Sequence, residues 1–386
     1  MATIVARKAP PCAPARSEAL RVWLFRTFFT SLAGVTWTDW WHVLRENGFA
    51  VDPAYWPRAF VLTAGSALNS LYRRKEDRAY GSLLERVEIP PPLFILGHWR
   101  SGTTLLHNLL ALDDRFAYPN LYEVFFPHTF LCTEDVRAGQ VTSLVPSTRV
   151  MDNVPQGVEM PNEDEFATCA ASLASPYMFW AFPRRQEQYE KYLTFRDVPE
   201  AEVARWKDEF LRFARKLTLR HHRPLLLKSP PHTGRIKLLL ELFPDARFVS
   251  IHRDPYTVFQ STKHLNATLT RSLQFQHPGD ANPDDAVIRR YRLMHEAFFA
   301  ERTLIPEGHF HEMAFDELES DPLGAIRRTY EHLGLPGIDD VLPAVEDYVR
   351  AQSGYRKNAY SEVTPDQRRR IQREWRRSFE AWDYAM

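Results

Sequence analysis

The sequence predicts an α/β protein, a three-layer αβα arrangement around a central parallel sheet, with extra helical segments at the N-terminus and in an insertion. Three observations carry this. Short apolar runs suited to buried strands recur at 93–96 (LFIL), 224–227 (PLLL) and 246–251 (ARFVSI), and 309–313 (HFHEM) is a further strand candidate. Helix-like segments follow them, at 103–110, 232–243, 256–265 and 322–333, the alternation expected of right-handed parallel crossovers. Gly97, Lys228 and Arg253 stand at the ends of the first three runs, where open α/β sheets gather their functional groups.

The elements follow in order. Residues 1–16 combine prolines and alanine-proline steps with basic charge, and predict a loose tail. Residues 17–90 predict a helical segment packed on the core. It is rich in aromatics: Trp23, Phe25, Phe28, Phe29, Trp37, Trp40, Trp41 and Trp56. Leu20, Trp23, Leu24 and Phe28 approximate helical spacing, which suits a layer covering the main domain. The sharper reading is a surface that meets a membrane or a greasy substrate. The α/β domain proper spans 91–386, with a cap or insertion at about 112–223 that contains a helix over 199–221.

Bulk properties exclude several classes. The chain has 386 residues, enough for a sizeable core, and 49 basic residues balance 49 acidic ones. No global field favours nucleic acid. Cys12, Cys132 and Cys169 form no CxxC pair, so neither a disulfide framework nor a zinc site is expected, and a reducing, cytoplasmic setting is. Arg21 and Arg26 interrupt the first apolar stretch, which argues against a secretory signal. No run of about 18 uncharged apolar residues predicts a membrane span, leaving peripheral contact as the membrane option. Nothing in the sequence addresses the oligomeric state.

The chemistry centres on 91–110, PPLFILGHWRSGTTLLHNLL. Gly97 and Gly102 share the G-x-x-x-x-G spacing of a phosphate-cradling P-loop, but Thr103 stands where that motif has lysine. Arg100 supplies a cation from inside the loop. Arg100, Ser101, Gly102, Thr103 and Thr104 therefore gather backbone N–H groups, hydroxyls and a guanidinium where a helix begins, the donor set for an anion. Arg253, with Ser261 eight residues later, forms a second such element, with Pro255 placed to open its helix. The two together suggest a nucleotide carrying two separated phosphate groups.

The pairing of RSGTT with a strand-terminal arginine and a serine eight residues later resembles the sulfotransferases. The resemblance extends through LLLKSPP, LFPDARFVSIHRDP and FDELESDPLGAIRRTYEHLGLP, covering most of 93–336. It is greatest towards bacterial enzymes related to the tyrosylprotein and carbohydrate branches. It implies transfer of a sulfuryl group from 3′-phosphoadenosine-5′-phosphosulfate (PAPS) to an alcohol or amine by in-line displacement, with no metal. By the same resemblance Arg100, Ser101, Gly102, Thr103 and Thr104 hold the 5′-phosphosulfate, and Arg253 and Ser261 the 3′-phosphate. Lys228 contacts the bridging or sulfuryl oxygens. Tyr355-Arg356-Lys357-Asn358 resembles the late basic loop that closes over the nucleotide, placing Arg356 and Lys357 among the binding residues.

A general base must take the acceptor's proton. Glu123, just past the first helix, stands near the position of the tyrosylprotein enzymes' glutamate. His232 follows Lys228 much as a histidine follows lysine in the cytosolic enzymes. Glu163-Asp164-Glu165 is a third candidate, although Asn162 with Glu165 also suits a helix cap followed by first-turn acids. His98, in the loop, is a fourth. Phe125, Phe126, Phe130, Tyr177, Phe179 and Trp180 suggest an apolar acceptor cleft, hence a small hydrophobic alcohol rather than a polysaccharide or protein tyrosine. Two other readings stand beside this one: a P-loop nucleotide or small-molecule kinase, and a non-catalytic P-loop-derived binding module.

Overall fold

The computed structural model describes residues 21, 23–25, 30–146, 148–149, 151–152, 154, 156–352 and 362–386. Its centre is a parallel sheet of β1 (Leu93–Leu96), β2 (Leu226–Lys228), β3 (Arg247–His252) and β4 (Phe310–Ala314), in the order β2-β1-β3-β4. Leu93 pairs with Leu226 on one side and with Arg247 on the other, and Phe248 pairs with Phe310. The expected strands are thus present, each displaced by no more than two residues.

Side-chain alternation builds the layers. Leu93 and Ile95 of β1, with Val249 and Ile251 of β3, point to one face, while Phe94 and Leu96 point with Phe248 to the other. The first face is covered by the helices Thr103–Leu110, Phe315–Ser320 and Pro322–His332 through Leu106, Leu109, Leu318 and Ile326. The second is covered by Glu200–His221, Ile236–Leu242 and Pro283–Glu301 through Phe210, Leu239 and Phe298. Both faces of β1, β2 and the middle of β3 are buried, which is why those runs read as largely apolar, whereas β4 (FHEMA) alternates between buried and half-buried positions.

The chain leaves β1 towards β2 on one side and later returns to β3 on the other. The carboxyl end of β1 is therefore the topological switch point, where a crevice opens between the outgoing connections. Gly97 occupies it with φ +147°.

Two helix boundaries differ from expectation. The segment expected to be helical from 232 begins instead as the 3-10 turn Pro230–Gly234, with the α-helix confined to Ile236–Leu242. Arg235, at φ −133°, leaves the helical conformation between the two pieces and separates them. The helix opened by Pro255 runs on to Leu273, well past the expected end at 265. In the N-terminal part, helices Trp37–Glu46 and Trp56–Leu84 lie against each other, with buried Trp40 donating its Nε1–H to Thr63 Oγ1 at 2.8 Å. Phe28, Phe29 and the expected tail fall outside the described residues.

The switch-point glycine offers a direct test. A Cβ at Gly97 would lie 2.6 Å from the Ile251 carbonyl oxygen and 2.8 Å from Thr103 Cγ2. Gly97→Ala is therefore expected to lose about 1–3 kcal/mol through strain and overpacking. Urea denaturation should show a lower midpoint at unchanged slope, and an unchanged midpoint would refute this account of the turn.

Candidate active site

β1 ends buried, and the loop after it is shaped by its own hydrogen bonds. The Gly97 N–H donates to Thr233 Oγ1 at 2.7 Å, and the Ser101 N–H and hydroxyl both donate to the His98 carbonyl, at 3.1 and 2.8 Å. Arg100 takes the left-handed conformation at φ +72°, and Gly102 follows at φ +104° before the helix begins at Thr103. A Cβ at Gly102 would collide with the Phe315 ring, so the helix N-terminus sits directly on the next layer.

This turn aims Arg100 across the crevice. Its Nε–H donates to Ser261 Oγ at 2.8 Å and its Nη1 to Asp152 Oδ2 at 2.6 Å, while Arg253 Nη1 donates to the Arg100 carbonyl at 3.4 Å. The two elements expected to bind separate phosphates therefore meet. Arg149 joins them, donating to Thr104 Oγ1 at 3.1 Å and pairing with Asp152 at 3.3 Å. Burial alone would raise the pKa of Asp152, but Arg149 and Arg100 together hold it below the ordinary carboxylate value.

A cavity of about 540 Å³ opens on this cluster. Arg100, Gly102, Thr103, Thr104, Arg149, Lys228, Arg253 and Ser261 line it, together with the acids Asp152, Glu163 and Glu319. The same cavity is walled by Trp99, Phe125, Phe166 and Trp180, and by Leu265, Leu269 and Leu273 of the Pro255–Leu273 helix. Cationic and apolar walls thus belong to one space, the combination that binds an anionic group beside a greasy one.

The acids of 163–165 meet the segment after β2 one by one. Lys228 Nζ donates to Glu163 Oε1 at 2.6 Å, His232 Nε2 lies 2.6 Å from Asp164 Oδ2, and Arg235 Nη1 donates to Glu165 Oε2 at 2.7 Å. Only the first pair reaches the cavity. Asp164, Glu165 and His232 are fully buried, and Arg235 nearly so. The Tyr177 hydroxyl also donates to Glu163. Burial lowers the pKa of Lys228, and Glu163 opposes that shift. The helix here is Glu165–Ser172, with Asp164 at its cap position, so Asn162 is not the cap; its side chain instead accepts from the Glu163 N–H at 3.0 Å.

Several expected site residues lie elsewhere. Glu123 is fully buried, accepting from the Asn120 N–H at 2.8 Å and standing 2.8 Å from His221 Nε2; it caps the short helix Leu121–Phe125 and does not line the cavity. His232 is held away from the cavity by Asp164. His98 packs beside Tyr291 and His295, with burial pushing its pKa down to about 4. Ser101 is buried and turned to the His98 carbonyl, outside the cavity lining. Of the expected cleft aromatics, Phe125 and Trp180 line the cavity, while Phe126, Phe130, Tyr177 and Phe179 do not. Arg356 and Lys357 fall outside the described residues. Arg149 and Asp152 were invisible in the sequence, since a lone arginine and aspartate in an irregular segment carry no periodicity or spacing.

With a loop of this shape at the switch point, matched by family, the class is defined. Residues 91–340 match the model of the sulfotransferase family, and the chain belongs to that family. It is accordingly an enzyme that moves a sulfuryl group from a donor to an acceptor. It is 39% identical over 352 residues to the omega-hydroxy-beta-dihydromenaquinone-9 sulfotransferase Stf3 of Mycobacterium tuberculosis and of Mycobacterium bovis, an alignment covering 91% of this chain and 90% of each relative. Among solved structures, its fold is similar to that of sulfotransferase STF9 from Mycobacterium avium (TM-score 0.71, 18% identity, covering 98% of this chain and 99% of that one). It is likewise similar to STF1 from Mycobacterium tuberculosis (TM-score 0.66, 20% identity, covering 94% and 98%).

The acid series yields a stability prediction. Glu165→Ala leaves the buried Arg235 guanidinium without its carboxylate, and is expected to cost about 3–5 kcal/mol. Chemical denaturation of the purified variant measures this, and a loss below about 1 kcal/mol would show that the pair does not organise the insertion.

Proposed function

We propose that this chain transfers the sulfuryl group of PAPS to the hydroxyl of a hydrophobic small molecule, with Glu163 as general base. The observation that carries the reading is the single cavity in which the Arg100–Ser261–Arg253 cluster shares walls with Trp99, Phe125, Phe166 and Leu269. The name of the relative Stf3, which specifies a hydroxylated menaquinone derivative, supports an apolar alcohol over a sugar or a peptide.

The residues fit the donor. Arg100, Arg149, Arg253 and the hydroxyls of Thr103, Thr104 and Ser261 form a donor set for phosphate and sulfate oxygens. A side chain at Gly97 or Gly102 would fill the turn that brings the backbone close. When bound, PAPS supplies a sulfuryl group whose bond to the 5′-phosphate is the one that breaks. Lys228 offsets the charge appearing on that phosphate, and the helix N-terminus at Thr103 adds to it. Glu163, held by Lys228 and Tyr177, accepts the acceptor hydroxyl's proton as its oxygen bonds to sulfur. With the donor bound, Lys228 would turn from Glu163 to the phosphate oxygens, leaving that carboxylate available to the acceptor. The reading carries a cytoplasmic setting with it, supported by the free thiols of Cys132 and Cys169.

Two measurements test it. Titration calorimetry should show adenosine 3′,5′-bisphosphate binding in the presence of a chelator, with Arg100→Ala and Arg253→Ala each weakening it by about 1.5–3 kcal/mol. Binding of ATP with Mg²⁺ alone would overturn the assignment of donor. For the base, Glu163→Gln is expected to lower kcat by roughly 10²–10⁴-fold while leaving bisphosphate affinity near wild type. Glu123→Gln should retain most turnover once its effect on folding is accounted for. The reverse order of losses would return the role to Glu123.

A further inference from the structure

The helix Trp56–Leu84 carries an apolar surface that the described residues leave uncovered. Trp56, Phe60, Val61, Leu68 and Leu71 are exposed, Trp56 at 62% and Phe60 at 76%. Their spacing keeps them on one side of the helix, over a length of about 22 Å. The opposite side is buried: Leu62, Ser66 and Asn69 face inward, and Asn69 Nδ2 donates to the carbonyls of Ala33 and Val35 at 2.8 and 3.0 Å. No charged residue occurs between buried Arg58 and Arg73. Trp37, Trp41 and Phe49 extend the exposed surface, the first two rings 5.6 Å apart, and the Trp37 N–H donates to Ser70 Oγ at 2.8 Å. An apolar surface of this extent on a soluble chain marks an interaction site.

The same helix face then changes character. Arg74, Lys75 and Arg78 are exposed three, four and seven residues beyond Leu71, positions that continue its side of the helix. Asp77 is the acid among them, and it is paired with Arg212. Aromatic and aliphatic side chains followed by a basic turn match the two layers of an anionic bilayer surface, hydrocarbon boundary and headgroup. No helix among the described residues is long and apolar enough to cross a membrane, so the contact is with the surface.

The position of this helix relative to the cavity gives the contact a use. Thr257, Ser261, Leu265, Leu269 and Leu273 line the cavity at every fourth residue of one helix, a path of about 24 Å from the anion cluster to an apolar end. At that end Arg58 Nη1 donates to the Gln274 carbonyl at 2.6 Å, and Trp40 packs on Phe275 with ring centroids 5.4 Å apart. The uncovered helix thus lies beside the greasy end of the cavity.

We propose that this chain docks on anionic membranes through the exposed face of Trp56–Leu71 and its basic turn at Arg74, Lys75 and Arg78. There the apolar end of the cavity receives an acceptor that resides in the bilayer, and only the acceptor's hydroxyl travels to the anion cluster. The purpose rests on the apolar-acceptor reading above, whereas the docking itself is measured without turnover.

The test uses the full chain with vesicles of phosphatidylcholine alone and of phosphatidylcholine mixed with phosphatidylglycerol. Sedimentation with the anionic vesicles is expected, weakened by salt, together with a blue shift of tryptophan emission as Trp37, Trp41 and Trp56 enter the interface. Phe60→Glu with Leu68→Glu should reduce partitioning by about tenfold or more. Arg74→Glu with Lys75→Glu should remove the preference for anionic vesicles, also roughly tenfold. Both pairs should keep the wild-type circular dichroism and the wild-type rate on a short water-soluble alcohol. Should the glutamate pair misfold, Phe60→Ser with Leu68→Ser gives the same comparison. Absence of vesicle binding by the wild type, or binding unchanged in the apolar variants, overturns the proposal. So does a dimer that the apolar variants convert to monomer while vesicles remain unbound, because the occupant is then a second copy. Vesicle binding that persists with no turnover on any acceptor would leave docking intact and remove the proposed reaction.

Discussion

Three consecutive acids hold the architecture of this site together. Glu163, Asp164 and Glu165 face Lys228, His232 and Arg235, each at 2.6 or 2.7 Å. The partners are spaced four and three residues apart, and the 3-10 turn Pro230–Gly234, which contains His232, presents them to three consecutive acids. A shift of one residue would set each charge against the wrong neighbour and leave Glu165 or Arg235 buried alone. Buried ion pairs add little net stability over apolar packing, since desolvation offsets their attraction. Their effect here is to permit one alignment of the insertion on the sheet. That alignment brings Glu163 to the cavity beside Lys228 and keeps its two neighbours out of it.

The anion end works by a similar economy of geometry. Arg100 adopts φ +72°, a conformation that costs a non-glycine residue about 1 kcal/mol or more. The strain is held by Ser261, Asp152 and the Arg253 contact to its carbonyl. The guanidinium is therefore already aimed into the crevice, and an arriving anion does not have to order it. Asp152 is the internal counter-anion of this cluster, shared by Arg100 and Arg149. At the donor site proposed above, a phosphate or sulfate would compete with it for the same two guanidinium groups, so that affinity would be set by the difference between two anions rather than by the cations alone.

The sheet was legible because its residues obey local rules. Three of the four strands are buried on both faces and read as apolar runs, and Gly97, Lys228 and Arg253 stand at their ends as strand topology requires. The loop after β1 was legible for its spacing, although the turn hides Ser101 behind the His98 carbonyl. The carboxylate proposed above as base was not legible. Glu123 looked well placed along the chain, but a capping box with Asn120 and a contact to His221 consume its carboxylate. His232 lies in a 3-10 turn rather than an α-helix, where Asp164 takes its imidazole. Glu163 resembled a helix-start acid, and only the pairing across 65 residues with Lys228 distinguishes it. Arg149 and Asp152 depend wholly on tertiary approach, which no window of sequence records.

The Pro255–Leu273 helix joins the two halves of the problem. Asp254 caps it, accepting from the Thr257 N–H at 2.7 Å, and Pro255 opens it directly after β3. Its direction is thereby fixed by the sheet. Ser261, less than two turns in, meets Arg100, whereas Leu265, Leu269 and Leu273 repeat on the same side as the helix runs on. A polar contact near its start and apolar walls further along give one cavity a direction, charge first and grease last. A molecule that satisfies both ends carries a polar or anionic group at one tip of an apolar body. On the reading proposed above, the shape of the acceptor is thus constrained by the same helix whose first turns belong to the anion cluster.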